Sequence, residues 1–266
     1  MKPSGQELAG RTAIVTGGAT KIGHGVVAAL CDAGAKAVVA DIDEIGAKEI
    51  VGAYSDMAAF VRTDITDDDA ISACVATTLG TFGSVDILVN LACSYEDDGA
   101  ASTRAQWRSA LDVNLVSAAL FAEAVRPCMA ARGGGAIVNF GSISAKVAQT
   151  GRWLYPASKA AIVQVTRSMA TDYATDRIRV NSVSPGWIWS KVMDQLTGSD
   201  RAKTDRVAKD FHLLGRVGDP AEVGEVVAFL CSERASFITG ADWAVDGGYS
   251  AMGPEQAVPA IPKLAE

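Results

Sequence analysis

Short apolar runs rich in β-branched residues recur along the chain and alternate with longer stretches of helical character. The runs occupy residues 12–16, 37–41, about 57–64, 85–90, 136–140 and 177–183. Continuous apolar runs of this length predict strands that are buried on both faces. Because strands alternate with helices, we predict an α/β fold, a doubly wound parallel sheet with helices on both faces.

The intervening stretches predict helices with recognisable ends. They cover residues 21–32, a segment ending near 52, and residues 67–80, 103–132 and 153–175. Gly34 follows the first helix, as expected of a C-terminal glycine. An acidic run from Asp67 suits the start of the third helix. Three glycines, 133–135, end the long fourth helix.

Composition adds a domain assignment. The 266 residues are 49% hydrophobic and 21% charged, which is typical of a globular chain and argues against disorder. No repeat or linker divides the chain, so residues 1–250 are predicted to form a single domain. The Pro- and Ala-rich residues 251–266 are interpreted as a C-terminal tail.

Charge and cysteine content exclude several classes of partner. The net charge is −7 without a basic block, which argues against nucleic acid or an anionic membrane as a partner. No apolar run reaches about 18 residues and no leader is recognisable, so we predict a cytoplasmic protein. The five cysteines lack metal spacing and are interpreted as reduced thiols, with a possible site role kept open for Cys93. No metal site is predicted.

The stretch from Gly141 to Ala161 carries the candidate chemistry. Tyr155 and Lys159 are four residues apart, so on a helix they lie on one face. A free tyrosine has a pKa of about 10, and a neighbouring ammonium favours the phenolate and lowers that pKa. Ser142 ends an apolar run and can hydrogen-bond a substrate oxygen. Together they predict a proton-transfer site for an alcohol or a carbonyl, although the pair alone also fits an exposed helix face.

A Gly-rich stretch follows the first predicted strand. Residues 16–23, TGGATKIG, lie where a turn enters the first helix, which suits the pyrophosphate of a dinucleotide. Asp41 ends the second strand, where an acid binds the adenosine ribose and repels a 2′-phosphate. The alternative for Asp41 is a helix cap, for which Asp43 is the better candidate.

These motifs together resemble the short-chain dehydrogenase/reductase family, over nearly the whole chain to about residue 249. The resemblance implies a Rossmann-like fold in which residues 1–250 form the dinucleotide-binding and catalytic domain. It implies that Tyr155 is the general acid/base beside Lys159, that Ser142 orients the substrate oxygen, and that Asn114 supports a proton relay through a water. The catalytic residues implied are therefore Asn114, Ser142, Tyr155 and Lys159.

The resemblance also implies a set of cofactor-binding residues. They are Gly17, Thr20, Lys21, Ile22, Gly23, Asp41, Asp64, Ile65, Asn90, Ala92, Tyr155, Lys159, Pro185, Gly186, Ile188 and Ser190. Lys21 departs from the family pattern, since it replaces the middle glycine; it is expected to point to the pyrophosphate or to solvent. Leu91 and Cys93 also depart from the family's NNAG pattern.

Candidate substrate contacts are Cys93, Ser144, Trp153 and Trp187, which lie near the reaction centre by sequence. The polar residues 189–212 match no fixed motif and are predicted to form a mobile lid. The cations near the site have two interpretations, as binding groups for an anionic substrate or as solvated surface charges. They are Arg152, Lys191 and three cations of the lid.

The function predicted is hydride transfer between NAD(H) and a secondary alcohol or ketone, by an alcohol dehydrogenase or carbonyl reductase. NAD is favoured over NADP because Asp41 should lie against the ribose. The alternatives are a dinucleotide-binding regulator without catalysis, and a dehydratase or epimerase that retains NAD. The resemblance implies a homo-oligomer, most simply a tetramer.

Overall fold

A computed structural model describes residues 6–253 and contains a seven-stranded sheet. The strands are β1 Thr12–Thr16, β2 Lys36–Asp41, β3 Ala58–Arg62, β4 Ile87–Asn90, β5 Gly135–Phe140, β6 Ile178–Pro185 and β7 Asp242–Val245. Every neighbouring pair is parallel, and the order is β3-β2-β1-β4-β5-β6-β7. The predicted doubly wound α/β fold is therefore confirmed.

Helices connect consecutive strands. Within the described residues they are α1 Lys21–Asp32, α2 Glu44–Ala53, α3 Asp68–Phe82, α4 Arg104–Leu111, α5 Ser117–Ala131, α6 Leu154–Tyr173, α7 Lys191–Thr197, α8 Arg201–Ala208 and α9 Pro220–Cys231. The predicted lid thus contains two short helices, α7 and α8. Most of the predicted tail, residues 254–266, lies outside the described residues.

Alternating strand residues face two separate apolar cores. On β1, Val15 packs with α1 and α9 on one face, while Ile14 packs with α3, α5 and α6 on the other. Both side chains are fully buried. This arrangement explains the continuous apolar sequences of the central strands, because β1, β4 and β5 are buried on both faces.

The long helix predicted over 103–132 is interrupted by a π-helical turn, Asp112–Val116, between α4 and α5. Thr103 caps its start, since its side chain accepts a hydrogen bond from the backbone of Gln106. The whole stretch, Arg104–Ala131, is long and apolar enough to cross a membrane by length and composition alone. Buried core helices also meet that test, and Phe121, Val125 and Met129 of α5 are fully buried in the core against the sheet.

Candidate active site

The carboxyl ends of the parallel strands bring together segments far apart in the sequence. The Gly-rich turn follows β1, Asn90 ends β4, Ser142 follows β5, and Pro185 ends β6. The sheet order reverses direction between β1 and β4. Ligands of doubly wound sheets bind outside the carboxyl ends at such a reversal, so these segments define the candidate site.

The Gly-rich turn requires glycine at two predicted positions. Gly17 has φ +68°, and a Cβ there would lie 2.8 Å from Cα of Ala92. A Cβ on Gly23 would lie 2.4 Å from the Gly17 carbonyl oxygen. The Thr20 hydroxyl donates to that carbonyl at 2.9 Å and accepts from the Gly23 N–H at 3.0 Å. The turn is therefore tight and leads directly into the N-terminus of α1, which suits a pyrophosphate.

Lys21 has a partner that the sequence did not predict. Its Nζ lies 2.8 Å from Oδ2 of Asp194, which belongs to α7 of the predicted lid. The ammonium also lies 5.4 Å from the ring centroid of Trp189. A carboxylate and an aromatic face both attract a cation, so Lys21 joins the Gly-rich turn to the lid. Ile22 packs against the core beside it.

Asp41 lies at the end of β2 and faces the Gly-rich turn. Its Oδ2 accepts from the Ala19 N–H at 3.0 Å, and its Oδ1 accepts from the Asp43 N–H at 3.0 Å. Asp43 caps α2 by accepting from the Gly46 N–H at 2.8 Å. Asp43 is therefore the helix cap, and Asp41 remains beside the turn, where the ribose is predicted.

Two further predicted cofactor positions have definite local partners. Oδ1 of Asp64 accepts from the backbone N–H and the hydroxyl of Thr66, at 3.0 and 2.7 Å, and these bonds lower the pKa of the Asp64 carboxyl. Ile65, the other predicted adenine contact, is partly buried against the α3 side of the core. The pair thus lies in the loop after β3.

Asn90 and Ala92 follow β4. The Asn90 amide donates to Oδ1 of Asn139 at 2.9 Å and to the Ala118 carbonyl at 3.2 Å, so it ties β4 to β5 and α5. The Ala92 N–H donates to the Thr16 hydroxyl at 3.3 Å. These bonds fix the loop on which Gly17 packs.

Tyr155 and Lys159 are both on α6, as predicted, and both are buried, at 7% and 3% exposure. The Lys159 Nζ lies 5.5 Å from the centroid of the Tyr155 ring and donates to the Phe140 carbonyl at 2.8 Å. The ammonium is thus fixed between β5 and the tyrosine. Because it is buried, salt screens its field at the phenol only weakly.

Ser142 ends β5 in an extended conformation, with φ −173°. Its Oγ accepts from the Ser144 N–H at 3.1 Å, which leaves its own hydroxyl hydrogen free to donate to a substrate oxygen. Ser144, a predicted substrate contact, is buried and donates from its hydroxyl to Oε1 of Gln149 at 2.7 Å. Ser144 therefore has a partner in the loop before α6.

Asn114 lies in the π-helical turn, a feature that is frequent at functional sites. Its Oδ1 accepts from the Ser94 N–H at 2.7 Å, while its Nδ2 donates to the Ser94 carbonyl at 3.0 Å and to the Ser158 hydroxyl at 3.1 Å. Ser158 in turn donates to the Tyr155 carbonyl at 2.8 Å. Both N–H donors of the amide are hydrogen-bonded, one to the loop after β4 and one to α6, so the Asn114 side chain connects that loop to the helix. The water relay of Asn114 remains a prediction.

Asp97 is a residue of this site that the sequence did not single out. Its carboxylate accepts from the N–H groups of Gly99, Trp153 and Tyr155 at 3.0, 2.9 and 3.0 Å, so it caps the N-terminus of α6. Burial raises the pKa of this carboxyl, but the backbone hydrogen bonds outweigh it and the pKa lies below its usual range. Because Asp97 is far from α6 in the sequence, no local motif predicts that it caps this helix.

Tyr95 is the second residue that sequence reasoning missed. Its ring stacks on the Tyr155 ring, with centroids 5.0 Å apart and planes inclined by 23°. The nearby Cys93 thiol and the Tyr155 phenol hold the pKa of Tyr95 well above its usual range. Cys93, which is half-buried, therefore lies beside Tyr95. A tyrosine in an irregular loop carries no signal that would have identified it.

The segment after β6 includes four predicted positions. A Cβ on Gly186 would lie 2.8 Å from Cα of Asp246, so glycine is required after Pro185. Ile188 is buried and bridges to Gly218. The hydroxyl of Ser190 accepts from the Met193 N–H at 3.5 Å and caps α7.

The two predicted tryptophans differ in their surroundings. The Trp187 ring packs against Phe211 and His212, with centroids at 5.1 and 5.7 Å. The backbone N–H of Trp187 donates to Nε2 of His212 at 3.2 Å. Trp153 is 55% exposed, and its backbone N–H donates to Asp97. Trp187 is therefore part of the lid's aromatic packing, whereas the indole of Trp153 is at the surface.

Comparison with known proteins identifies the class to which this fold and site belong. A family model described as enoyl-(acyl carrier protein) reductase matches residues 17–250. The chain belongs to the short-chain dehydrogenase/reductase family, and it is an oxidoreductase.

Relatives cover nearly the whole chain. Cis-4-hydroxycyclohexanecarboxylate dehydrogenase of Sinomonas cyclohexanicum is 38% identical over 93% of this chain and 100% of its own length. 2-(S)-Hydroxypropyl-CoM dehydrogenase 3 of Xanthobacter autotrophicus is 37% identical over 90% of this chain and 96% of its own. The structure of 7α-hydroxysteroid dehydrogenase complexed with NADH and 7-oxo glycochenodeoxycholic acid has a TM-score of 0.86 and 31% identity, covering 94% of this chain and 98% of that one. The family binds nicotinamide dinucleotides and acts on small molecules.

Proposed function

We propose that the protein is an NAD-dependent dehydrogenase that converts a secondary alcohol to a ketone, or the reverse, through the site of Ser142, Tyr155 and Lys159. The observation that carries this proposal is the buried Lys159 ammonium, 5.5 Å from the Tyr155 ring and fixed by the Phe140 carbonyl. A buried cation favours an anionic phenolate beside it. A tyrosine in this setting can exchange a proton with the hydroxyl of an alcohol.

Each side chain has a defined task in this proposal. The Ser142 hydroxyl donates to the substrate oxygen and orients it, because its Oγ is already fixed by the Ser144 N–H. Tyr155 takes the hydroxyl proton during oxidation and returns it during reduction. Asn114 holds α6 against the loop after β4, through Ser158 and Ser94. The nicotinamide, when bound, supplies the hydride acceptor or donor.

The residues around the Gly-rich turn suit a dinucleotide with a free 2′-hydroxyl. Gly17 and Gly23 make the turn tight, since a Cβ at either position would clash with neighbouring backbone, and a tight glycine turn suits a phosphate. Asp41 offers a carboxylate beside the turn, and it would face the charge of a 2′-phosphate. Lys21, the basic residue of the Gly-rich turn, is already paired with Asp194. These observations favour NAD over NADP.

The relatives support a substrate whose hydroxyl is carried on a ring. The names of the Sinomonas enzyme and of the hydroxysteroid dehydrogenase both describe ring alcohols. We therefore propose a small cyclic secondary alcohol as the substrate. We further propose residues 1–250 as one domain with a lid over about 189–212, a cytoplasmic location and a homotetrameric assembly.

The proposal is tested by a dehydrogenase screen over cyclic alcohols, sugars and hydroxy acids with NAD and NADP, read at the absorbance of the reduced nicotinamide. Turnover of at least one secondary alcohol with NAD is expected. Tight NADH binding without turnover over the whole panel would instead favour a non-catalytic regulator. Dialysis adds a second check, since a dehydrogenase releases its cofactor and an NAD-retaining epimerase does not.

A further inference from the structure

We propose that Arg152 binds an anionic group of the substrate, so that the preferred substrate is a cyclic secondary alcohol that also carries a carboxylate. This inference rests on the proposed dehydrogenase function and names the substrate class of the same site. It depends on where the guanidinium of Arg152 lies and on which of its hydrogen-bond donors are already used.

Arg152 lies directly against the catalytic tyrosine. Its guanidinium carbon is 4.7 Å from the centroid of the Tyr155 ring, closer than the Lys159 ammonium at 5.5 Å. The backbone around it is anchored, because the Arg152 N–H donates to the Gln149 carbonyl at 3.2 Å and the Trp153 N–H donates to Asp97 at 2.9 Å. The cation is therefore held at the reaction centre rather than on a remote surface.

Within the described residues, the N–H donors of this guanidinium make no hydrogen bond. Its nearest acid is Asp97, whose Oδ2 lies 4.0 Å from Nε, beyond hydrogen-bond distance. Asp97 is occupied by three backbone N–H groups. Within residues 6–253, no acceptor lies within hydrogen-bond distance of the Arg152 side chain, which is 33% exposed. A planar fork of N–H donors is thus available to a ligand.

Three other cations near the site are already matched by an acid. Nη1 of Arg201 donates to Asp219 at 2.7 Å, Lys21 pairs with Asp194 at 2.8 Å, and Lys146 lies 3.1 Å from Asp242. Such short contacts satisfy the charge. Arg152 differs from all three in this respect, so its guanidinium can receive an added carboxylate.

The surroundings of Arg152 indicate what the rest of the substrate is. The Tyr95 ring stacks on Tyr155 at 5.0 Å and adds an aromatic surface beside it, which suits a hydrocarbon ring. Arginine binds a carboxylate through two parallel hydrogen bonds. A carboxylate at Arg152 and a hydroxyl at Tyr155 would fix both ends of one compact molecule, which favours a productive orientation.

The first test compares cis-4-hydroxycyclohexanecarboxylate with its carboxamide, which has the same shape without the charge. In the wild type, kcat/KM for the acid should exceed that for the amide by about tenfold or more, as expected of a charge-assisted hydrogen-bond pair. Arg152→Gln should abolish this preference, because KM for the acid should rise to the KM that the same variant shows for the amide. Arg167→Gln, on the exposed face of α6, is the matched control and should keep the preference.

The second test measures binding without turnover, by calorimetry with cyclohexanecarboxylate and the NAD-loaded enzyme. Wild type should bind this acid, Arg152→Gln should bind it at least tenfold more weakly, and Arg152→Lys, which keeps the charge without the fork, should lie between them. Equal turnover of acid and amide by the wild type, or an unchanged preference in Arg152→Gln, would overturn the inference while leaving the dehydrogenase function intact. Binding that depends on Arg152 without turnover of any alcohol would leave the anion site in place and refute the dehydrogenase function.

Discussion

At the scale of single residues, the site depends on side chains whose remaining hydrogen-bond capacity is well defined. Ser142 has a free hydroxyl hydrogen because its Oγ already accepts from the Ser144 N–H. Lys159 is fixed by the Phe140 carbonyl and so presents its charge to Tyr155. Each group is oriented before any substrate arrives, which is the arrangement that proton transfer requires.

Tyr155→Phe should remove nearly all turnover, because it deletes the hydroxyl that carries the proton and leaves the ring in place. General acid/base catalysis is typically worth about 10²–10⁴-fold in rate, so a loss in that range is expected. The measurement is steady-state oxidation of the best alcohol, with NADH binding by fluorescence as the control that should stay close to wild type. A variant that keeps a third or more of the rate would contradict the role of Tyr155.

Asp41→Ala should narrow the preference for NAD. The Asp41 carboxylate faces the Gly-rich turn through its bond to the Ala19 N–H, so its removal eliminates the repulsion of a 2′-phosphate. The wild type should prefer NAD by about two orders of magnitude in kcat/KM, since like charges at close range cost several kcal/mol. Parallel kinetics with NAD and NADP measure the ratio, and Asp43→Ala, which removes only the cap of α2, serves as control. An unchanged ratio in Asp41→Ala would refute the ribose role.

Residues in short motifs could be predicted from the sequence, because their chemistry is tied to a fixed spacing. Tyr155 and Lys159 share a face of α6 for the simple reason that they are four apart. Asp97, Tyr95 and the Lys21–Asp194 pair could not be predicted, since each contact joins segments that only the folded sheet brings together. Lys21 is an example: its position in the Gly-rich turn was evident from the sequence, but its partner Asp194 is 173 residues away and could not be predicted.

At the scale of secondary-structure elements, α6 is the part of the site most dependent on a remote residue. Its first N–H groups have no intrahelical partners, and Asp97 from the loop after β4 accepts two of these hydrogen bonds, from Trp153 and Tyr155. The position of Tyr155 is therefore set by a loop as well as by its own helix.

Asp97→Asn should destabilise the protein by about 1–2 kcal/mol at neutral pH, because a charged cap is replaced by a neutral one. The folded pKa of Asp97 is depressed, so its contribution is fully present above the unfolded pKa of about 3.9 and is lost as pH falls through the folded pKa. Urea unfolding at pH 7 and at pH 3 checks this. The gap in unfolding free energy between wild type and variant should shrink at pH 3, and a gap that grew would contradict the assignment.

Lys21→Met should loosen the lid, because it removes the ion pair between the Gly-rich turn and Asp194 of α7 while keeping the length of the side chain. We expect faster proteolysis within residues 191–208 and a few-fold change in KM for NAD, with kcat less affected. Lys48→Met is the matched control, since it removes an exposed pair with Glu44 at 3.9 Å on α2. Equal lid cleavage rates in wild type and Lys21→Met would show that the pair does not restrain the lid.

At the scale of the whole molecule, the surface carries apolar side chains that the described residues do not cover. Val116 and Leu120, at the start of α5, are 41% and 43% exposed, and Leu79 of α3 is 36% exposed. Phe237 is fully exposed near the edge strand β7. Exposed apolar surface of this kind is typical of subunit contacts, which supports the proposed oligomer.

Light scattering at micromolar protein should give the mass of a tetramer. Leu120→Glu should lower that mass, because it places a carboxylate in the expected interface around α5. Ile45→Glu, at a position that is 80% exposed on α2, is the control and should leave the mass unchanged. A monomer mass for the wild type would refute the proposed assembly.

The fold itself was predictable because its signal is repeated in every strand. Each of β1 to β6 is an apolar run between helical stretches, so an error in one element does not change the architecture. The π-helical turn within 103–132 was not predictable, since nothing in that stretch departs from a helical pattern. Lid helices α7 and α8 were missed for the opposite reason, because their polar residues resemble a loop.

The sheet order has a consequence for how the protein is made. Strand β1 pairs with β4, so Thr16 meets Asn90, and Gly17 packs on Ala92 only when that later segment is present. Synthesis proceeds from the N-terminus, so the Gly-rich turn leaves the ribosome long before β4, the strand that supports it. The segment after β6 is completed later still, because the Gly186 N–H donates a hydrogen bond to the Val245 carbonyl of β7. The Gly-rich turn therefore gains its support from Ala92 only after β4 has been made, and the segment after β6 is completed only after β7 has been made.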